Sequence, residues 1–246
     1  MDRLKVGDRF VSETYIGATK TLYLPVVADG LLLYWGAWGK SNADATPKTW
    51  KDLSPNGRDA TLTTLFNLDG TYGWHNNGLV YDSSILSAAV TRISDALLAG
   101  INDNFTLEIV ASNVGTANSY LFSMGAFGSV KGFGIRTGLA SPFLRGYLHN
   151  GTTLYTFDHA RTTALGSGTH HFAFSRNGTD IKLYIDGVVT SRTAAAGINI
   201  ATSNVPTIGS NGQQQKTIFA VRLYNRTLSD AEIELNREYD CQRYSF

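Results

Sequence analysis

Tyr72-Gly73-Trp74-His75-Asn76-Asn77-Gly78 has the composition of a sugar-recognition loop. An aromatic ring covers the apolar face of a pyranose, while neighbouring amide and imidazole groups fix its orientation. Tyr72, Trp74, His75, Asn76 and Asn77 bring both kinds of group into one predicted loop, and Trp38 offers a second platform nearby in the chain. The bland reading of the same residues is that both tryptophan clusters plug an end of a β-sandwich. Calcium is the other chemistry to weigh. Asp69, Asn76, Asn77, Asp82 and Asp103 place oxygen ligands in predicted loops, yet none shows the dense alternation of an EF-hand loop. Ca²⁺ needs six to eight oxygens held together, and Asn and Asp in turns also serve simply to bond backbone groups.

Covalent chemistry finds little support. Glycoside hydrolysis needs two carboxyl groups flanking one bond, whereas Glu108 in Thr-Leu-Glu-Ile-Val stands alone on its strand and no E-x-D-x-x-E spacing occurs. The Gly-rich stretch 125–134 lacks the G-K-[ST] ending and following helix of a phosphate loop. No H-E-x-x-H or G-x-S-x-G is present. Adjacent residues of a strand point to opposite faces, so His170 and His171 cannot chelate one ion together. A single cysteine, Cys241, excludes an intrachain disulfide and any thiolate metal cluster. The expectation is a protein that is not an enzyme.

Strands must position whatever site there is. Charged residues make up 17% of the 246, and the deficit is filled by Thr, Ser, Asn and 25 Gly, the material of turns and strand surfaces. Residues 170–176 and 180–187 alternate in period two around Asn177-Gly178-Thr179, a strong hairpin signal. His171, Ala173 and Ser175 are predicted to share one face, with Phe172 and Phe174 on the other. Further short strands are separated by Gly and Asn turns, and helix is predicted at two places. Ser229 with Glu232 forms a capping box over a weak apolar stripe of two or three turns. Ser94 caps little more than one turn before Gly100. Such a chain is expected to be all-β, a sandwich of two antiparallel sheets. Residues 28–246 form its one domain, and residues 1–27 are an N-terminal arm or an extra edge strand.

The net charge of +1 and the absence of a Lys/Arg run speak against nucleic acid, since Arg136, Arg145 and His149 make only a thin basic cluster. Pro25, Asp29 and Gly30 interrupt the most apolar stretch, so no membrane insertion is expected. The start Met-Asp-Arg-Leu-Lys-Val-Gly-Asp-Arg-Phe lacks the apolar region of a signal peptide, so the expectation is a protein made in the host cytoplasm.

Several segments in series carry a resemblance. Residues 50–62, Trp-Lys-Asp-Leu-Ser-Pro-Asn-Gly-Arg-Asp-Ala-Thr-Leu, resemble the W-x-D-L-S-G-N-G-N-x-G-T-L element near the start of laminin-G-like, concanavalin A-like jelly-roll domains. Gly78–Ser84 is similar to that family's G-x-L-x-F-D-G strand, and Asn104–Ser112 to its F-T-x-E-x-W strand. The 168–191 hairpin is similar to W-H-H-V-A-x-T-x-D-G-x-x-x-x-Y-I-D-G, and Val221–Ile233 to the ending V-R-I-Y-N-R-A-L-S-x-x-E-I. The resemblance covers roughly residues 30 to 240 and implies a concanavalin A-like jelly roll. Versions beginning with W-x-D-L-S are frequent in bacteriophage and bacterial surface proteins. It therefore implies a virion-associated structural protein, a capsid decoration or tail component, at the particle surface. Its partners would be other virion proteins or a second copy held by the 1–27 arm, with host-surface carbohydrate as a further partner. The alternative is a carbohydrate-binding receptor-recognition module of a tail fibre or bacterial surface protein. Ser83, Thr169, Lys216 and Thr217 depart from the family pattern and weaken transfer of any ligand site. In residues 50–62, Trp50 is expected to pack, Asp52 and Ser54 to tie the turn, and Asn56-Gly57 to reverse the chain.

Overall fold

Period-two alternation sets two faces for nearly every strand, and two tight turns set their registers. Asn76 and Asn77 both take positive φ (51° and 63°), as do Asp186 and Gly187 (52° and 81°), the two-residue left-handed turn that matches strand twist. The computed structural model describes residues 26–62, 68–82, 101–114, 119–125, 130–137, 144–200, 206–208 and 215–246, and the backbone of strands at 5–6, 9–10, 12–16 and 19–23. The one-turn helix expected before Gly100 lies outside these residues.

In chain order the strands are β1 (Lys5–Val6), β2 (Arg9–Phe10), β3 (Ser12–Ile16), β4 (Thr19–Tyr23), β5 (Leu31–Gly36), β6 (Thr49–Trp50), β7 (Ala60–Thr61), β8 (Gly73–His75) and β9 (Gly78–Asp82). There follow β10 (Asn104–Ser112), β11 (Ser119–Met124), β12 (Gly132–Thr137), β13 (Leu144–His149), β14 (Leu154–Asp158), β15 (Thr169–Asn177), β16 (Asp180–Ile185), β17 (Val188–Thr193), β18 (Pro206–Thr207), β19 (Gln215–Tyr224) and helix α1 (Asp230–Tyr244). The larger sheet runs β17-β16-β15-β10-β19-β9-β8, with β5 also paired to β19. The smaller runs β14-β13-β12-β11-β18. Every pairing among the described residues is antiparallel. The protein is an all-β sandwich of the expected kind.

Phe105, Leu107, Phe172, Phe174 and Leu183 from the larger sheet meet Phe122, Phe133, Ile135 and Leu148 from the smaller in one core. The opposite face of the larger sheet, carrying Tyr34, Val110, Ala173 and Tyr184, packs beneath α1. The predicted capping box is present at Ser229 and Glu232, but α1 runs for 15 residues, beyond the two or three turns its apolar stripe suggests. Its inward residues include Asn236 and Asp240, both fully buried, so tertiary polar partners extend it where apolar periodicity would not.

Residues 50–62 are scaffold. One Asp52 oxygen accepts the Tyr34 and Ser54 amides at 2.9 Å each, and the other accepts the Ser54 hydroxyl at 2.7 Å and the Arg58 amide at 2.8 Å. Trp50 is fully buried, and Gly57 takes φ +65° where the chain reverses. In the N-terminal segment β1 pairs with β2 and β3 with β4, and among the described residues neither pair joins a sandwich sheet. β4 lies against α1.

Candidate functional site

The loop that composition singled out is built around a hairpin edge. Asn42 locks it from the neighbouring loop: its amide donates to the carbonyls of Asp69 (3.0 Å) and Tyr72 (3.2 Å), and its oxygen accepts the Trp74 amide at 2.8 Å. His75 Nε2 donates to those same two carbonyls at 3.0 Å each. Asn77 accepts the Gly39 amide at 3.3 Å, while Asn76 is exposed and Tyr72 half-buried. Trp74 is no sugar platform. It is 4% exposed, its ring meets Trp50 edge-on at 5.3 Å, and its Nε1 donates to the Pro47 carbonyl at 2.6 Å. Trp38 stands elsewhere, edge-on to Tyr244 at 6.1 Å on the α1 side of the larger sheet, with the Arg243 guanidinium 5.5 Å from its ring centre. Tyr72, His75, Asn76 and Asn77 are thus brought together, with His75 and Asn77 spent on backbone groups, and the two tryptophans are not part of the group. Burial of the indole was invisible locally because its partners, Trp50 and Pro47, lie more than twenty residues away.

The five residues weighed for calcium do not converge. Asp69 Oδ1 accepts the Thr71 and Tyr72 amides, which hold its carboxyl below the usual carboxylate range. Asp103 pairs with Arg176 at 3.2 Å, just ahead of Asn104, whose Cα partner is Asn177. Asp82 partners Gln215 at the opposite end of β19, on the order of 25–30 Å away along the strand rise. Among the described residues no three His, Cys, Asp or Glu side chains are grouped to hold a metal ion.

Glu108 is not alone after all. It is fully buried with Asp240, Arg222, His171 and Asn236 between the larger sheet and α1. Arg222 forks onto Asp240, with Nη1 at 2.8 Å from Oδ2 and Nη2 bonded to Oδ1, and its Nη1 lies 3.5 Å from Glu108 Oε2. Asn236 donates to Glu108 at 2.7 Å, and His171 Nε2 is 3.6 Å from Glu108 Oε1 and 3.9 Å from Asp240 Oδ2. Burial by itself would lower the Arg222 guanidinium, but Asp240 above all outweighs it and holds the group well above its ordinary value. Burial also pushes the adjacent Tyr34 phenol up to about 12. With no exposed oxygen this cluster cannot meet a substrate; it fastens a helix. His170, on the other face as predicted, bonds Asp186 through Nδ1 at 2.7 Å.

A site-like arrangement emerges on the outer face of the smaller sheet, which the sequence did not assemble. Cα partners run Tyr120–Arg136–Arg145–Asp158 across β11, β12, β13 and β14, and beside them Thr207–Ser123–Gly134–Tyr147–Thr156. Tyr120 and Tyr147 meet edge-on at 6.0 Å, and the Arg136 guanidinium lies 5.3 Å from the Tyr120 ring centre. Gly134 makes room for this: a Cβ there would stand 2.6 Å from the Tyr147 ring and 2.4 Å from the Phe122 carbonyl oxygen. Arg145 grips Asp158 with Nε and Nη2 at 2.5 and 2.8 Å, a bidentate fork. That pair keeps Arg145 above its usual value, the hydrogen bond to Asp158 being the main cause. Burial raises the phenols of both Tyr147 and Tyr120. His149 Nδ1 accepts the Gly151 amide at 3.0 Å, so its Nε2 carries the proton as a donor on this face.

The face therefore has a buried aromatic floor (Tyr147 fully buried, Tyr120 and Arg136 each 7% exposed) and an open flank, with the Arg145 and Asp158 side chains 24% and 38% exposed and Thr156 exposed. The two rings are closed over as Trp74 is, and the groups left accessible on this face are the Arg145–Asp158 fork and Thr156, donors and acceptors held at the β13–β14 edge. The one legible hint was the cluster Arg136, Arg145 and His149, which reads as thin and basic until the strands are aligned.

Comparison with known proteins bears on fold and family. No curated protein sequence matches the chain. Among solved structures, Trypanosoma rangeli sialidase in complex with 2,3-difluoro-KDN superposes with a TM-score of 0.58 at 17% identity, over 90% of this chain and 34% of that one. The receptor binding domain of botulinum neurotoxin C/D mosaic serotype gives a TM-score of 0.62 at 13% identity, over 86% of this chain and 52% of that one. The botulinum neurotoxin serotype D binding domain gives 0.61 at 13%, over 86% and 51%. This chain spans about a third to a half of these larger proteins, and at such identities the likeness is one of fold. A laminin G family model, described as Concanavalin A-like lectin/glucanases superfamily, matches residues 82–234, more than half of the chain. With its two antiparallel sheets and that match, this protein belongs to the laminin G-like domains of the concanavalin A-like lectin/glucanase superfamily.

Proposed function

We propose that this chain is a carbohydrate-recognition module without catalytic activity, and that the outer face of the smaller sheet holds the glycan. The observation that carries the reading is the partly exposed Arg145–Asp158 fork beside exposed Thr156, polar groups of this face that remain open to solvent. Adjacent hydroxyls of a pyranose match a planar donor–acceptor pair. Membership of a lectin-like superfamily supports it, as does the likeness to a toxin's receptor binding domain and to a sialidase bound to a sialic acid analogue. The non-catalytic half of the reading rests on carboxylate placement. Asp158 is the carboxylate on this face among the described residues, and Glu108 and Asp240 are buried under α1, so neither place offers an accessible carboxylate pair among those residues.

The test is a glycan array with the full chain, followed by affinity measurement for the best sugar with Arg145→Ala and Asp158→Ala. Both residues are partly exposed, so the fold should survive. Loss of a charged hydrogen-bonding partner is worth about 1.5–3 kcal/mol, or roughly 10–100-fold in Kd. Unchanged affinity in both variants, or no glycan bound, would sink the reading. Incubating the bound glycan with the protein should release no reducing end.

The finer setting follows the W-x-D-L-S start of residues 50–62: the surface or tail of a bacteriophage particle, with residues 1–27 engaging other virion proteins or a second copy. Peptide mapping of purified particles tests it, and absence of this chain from every particle fraction would reject it.

A further inference from the structure

β14 and β17 are the outermost strands of the smaller and larger sheet respectively. The segment leaving β14 fastens one edge to the other. His159 Nε2 donates to the Val188 carbonyl at 2.9 Å, and the Ala160 amide donates to Thr190 Oγ1 at 3.1 Å. His159 Nδ1 meanwhile accepts the Arg161 amide at 3.0 Å. Both ring nitrogens of a residue that is 4% exposed are therefore committed, one as donor and one as acceptor. Only the neutral Nε2–H tautomer can do both, because an imidazolium carries N–H on each nitrogen and would set one against the Arg161 N–H.

We infer that His159 is an acid-released clasp between the two sheets: protonating its ring breaks the Arg161 turn, frees residues 159–161 from β17 and lets the β14 and β17 edges open locally.

The groups around His159 all favour release. Arg161 on its own segment and Arg192 on β17 are cations, and the carboxylate of the preceding residue, Asp158, has both oxygens on Arg145 of β13. Burial first, then Arg161 and Arg192, hold the imidazole below its ordinary 6.5, with the bond to Val188 acting the other way. A depressed folded value means that the unfastened state binds the proton first. The clasp is therefore fully closed above about 6.5 and weakens as pH falls from there to the folded value, by up to about tenfold in the opening equilibrium per pH unit for one proton. Opening bares an edge already apolar at its tip, where Val188 is 62% and Val189 41% exposed.

The test is amide hydrogen exchange on the full chain from pH 7.5 to 4.5, corrected for intrinsic rates, with the histidine ring nitrogens followed by NMR on the same protein. Protection in β14 and β17 should fall several-fold to tenfold per unit below about 6.5 while β10 and β19 hold. The midpoint should coincide with the titration of His159 and with none of His75, His149, His170 or His171. His159→Asn, whose side-chain oxygen accepts the i+2 amide at any pH as an Asx turn, should abolish the pH dependence. Constant protection while His159 titrates would overturn the inference. So would a midpoint belonging to another histidine, or the same dependence in H159N. The wild-type midpoints decide the matter even where H159N fails to fold.

Discussion

Replacing Arg222 by Met tests how α1 is held. The guanidinium is 1% exposed and faces two carboxylates, Asp240 at 2.8 Å and Glu108 at 3.5 Å, each wholly buried. It also lies 4.7 Å from the Tyr34 ring centre and 5.7 Å from that of Tyr239. Methionine keeps much of the volume and none of the charge, leaving two anions in a low-dielectric layer with His171 and Asn236 beside them. Removing one partner of a buried pair costs about 3–5 kcal/mol, a large part of a domain's total of about 5–15 kcal/mol. With a urea m-value of about 2–3 kcal/mol/M the midpoint should fall by roughly 1–2 M. Tryptophan fluorescence reports it well, since Trp35, Trp50 and Trp74 sit in the core. The triple variant Arg222→Met, Glu108→Gln, Asp240→Asn removes the charges together and should regain most of the loss, because it is the stranded charge and not the missing pair that destabilises. An R222M midpoint within about 0.3 M of wild type, or a triple variant no better than the single one, would refute the account of α1 as ionically anchored.

Trp74→Ala should cost about 3–5 kcal/mol by opening a cavity against Trp50, seen as a lower melting temperature; an unchanged melt with lost sugar binding would instead restore the 72–77 loop as the site. Glu232 is held at about 2 by the Arg226 fork, aided by the Ser229 cap, so its stabilisation is present above its ordinary 4.5 and is lost as pH falls from there towards 2. Glu232→Gln should therefore cost about 0.5–1.5 kcal/mol at pH 7, discounted for its exposure, and little near pH 2, as read by urea titrations at both values. Ser123 and Thr207 bond each other across β11 and β18 on the proposed glycan face. Ser123→Ala with Thr207→Val removes both ends of that bond but also the Ser123 hydroxyl that meets buried Tyr147, so it should cost about 1–3 kcal/mol in a urea titration, and an unchanged midpoint would refute the pairing.

The parts of the fold legible in the sequence are those whose determinants are local. The β15–β16 hairpin follows from alternation around Asn177-Gly178-Thr179, and every predicted face there is the observed one. Ser229 and Glu232 cap α1 from three residues apart. What stayed hidden depends on distant partners. Asp240 finds its partner in Arg222, on a strand outside the helix, and Asn236 reaches Glu108 across 128 residues. Those bonds lengthen α1 beyond its apolar stripe, which is why periodicity underestimates it. Trp74 shows the converse error, since a Trp among Asn and His in a turn looks solvent-facing until Trp50 and Pro47 close over it. The residues of the proposed glycan face come from β11, β12, β13, β14 and β18, so no window of the chain contains them together.

A two-sheet sandwich has four broad faces, and among the described residues the proposed recognition fits the outer face of the smaller sheet best. Two form the core. The outer face of the larger sheet carries α1 and buries its charges there, so a ligand would have to displace a helix held by an Arg–Asp fork. The outer face of the smaller sheet has no such helix among the described residues, yet Tyr120, Arg136, Tyr147 and His149 on it are buried, and Arg145, Asp158 and Thr156 at its β13–β14 edge reach solvent. Burying hydroxyls, phenols and guanidinium groups costs free energy that an apolar face of equal volume would not incur. A surface serving packing alone would do as well with Leu and Val, as the inner face of the same strands does with Leu121, Phe133, Ile135 and Leu148. On its outer side Tyr120, Tyr147 and His149 are buried supports, while Arg145, Asp158 and Thr156 reach solvent with the hydrogen-bonding groups that a polyhydroxylated ligand engages, which is the physical reason to propose binding at that edge.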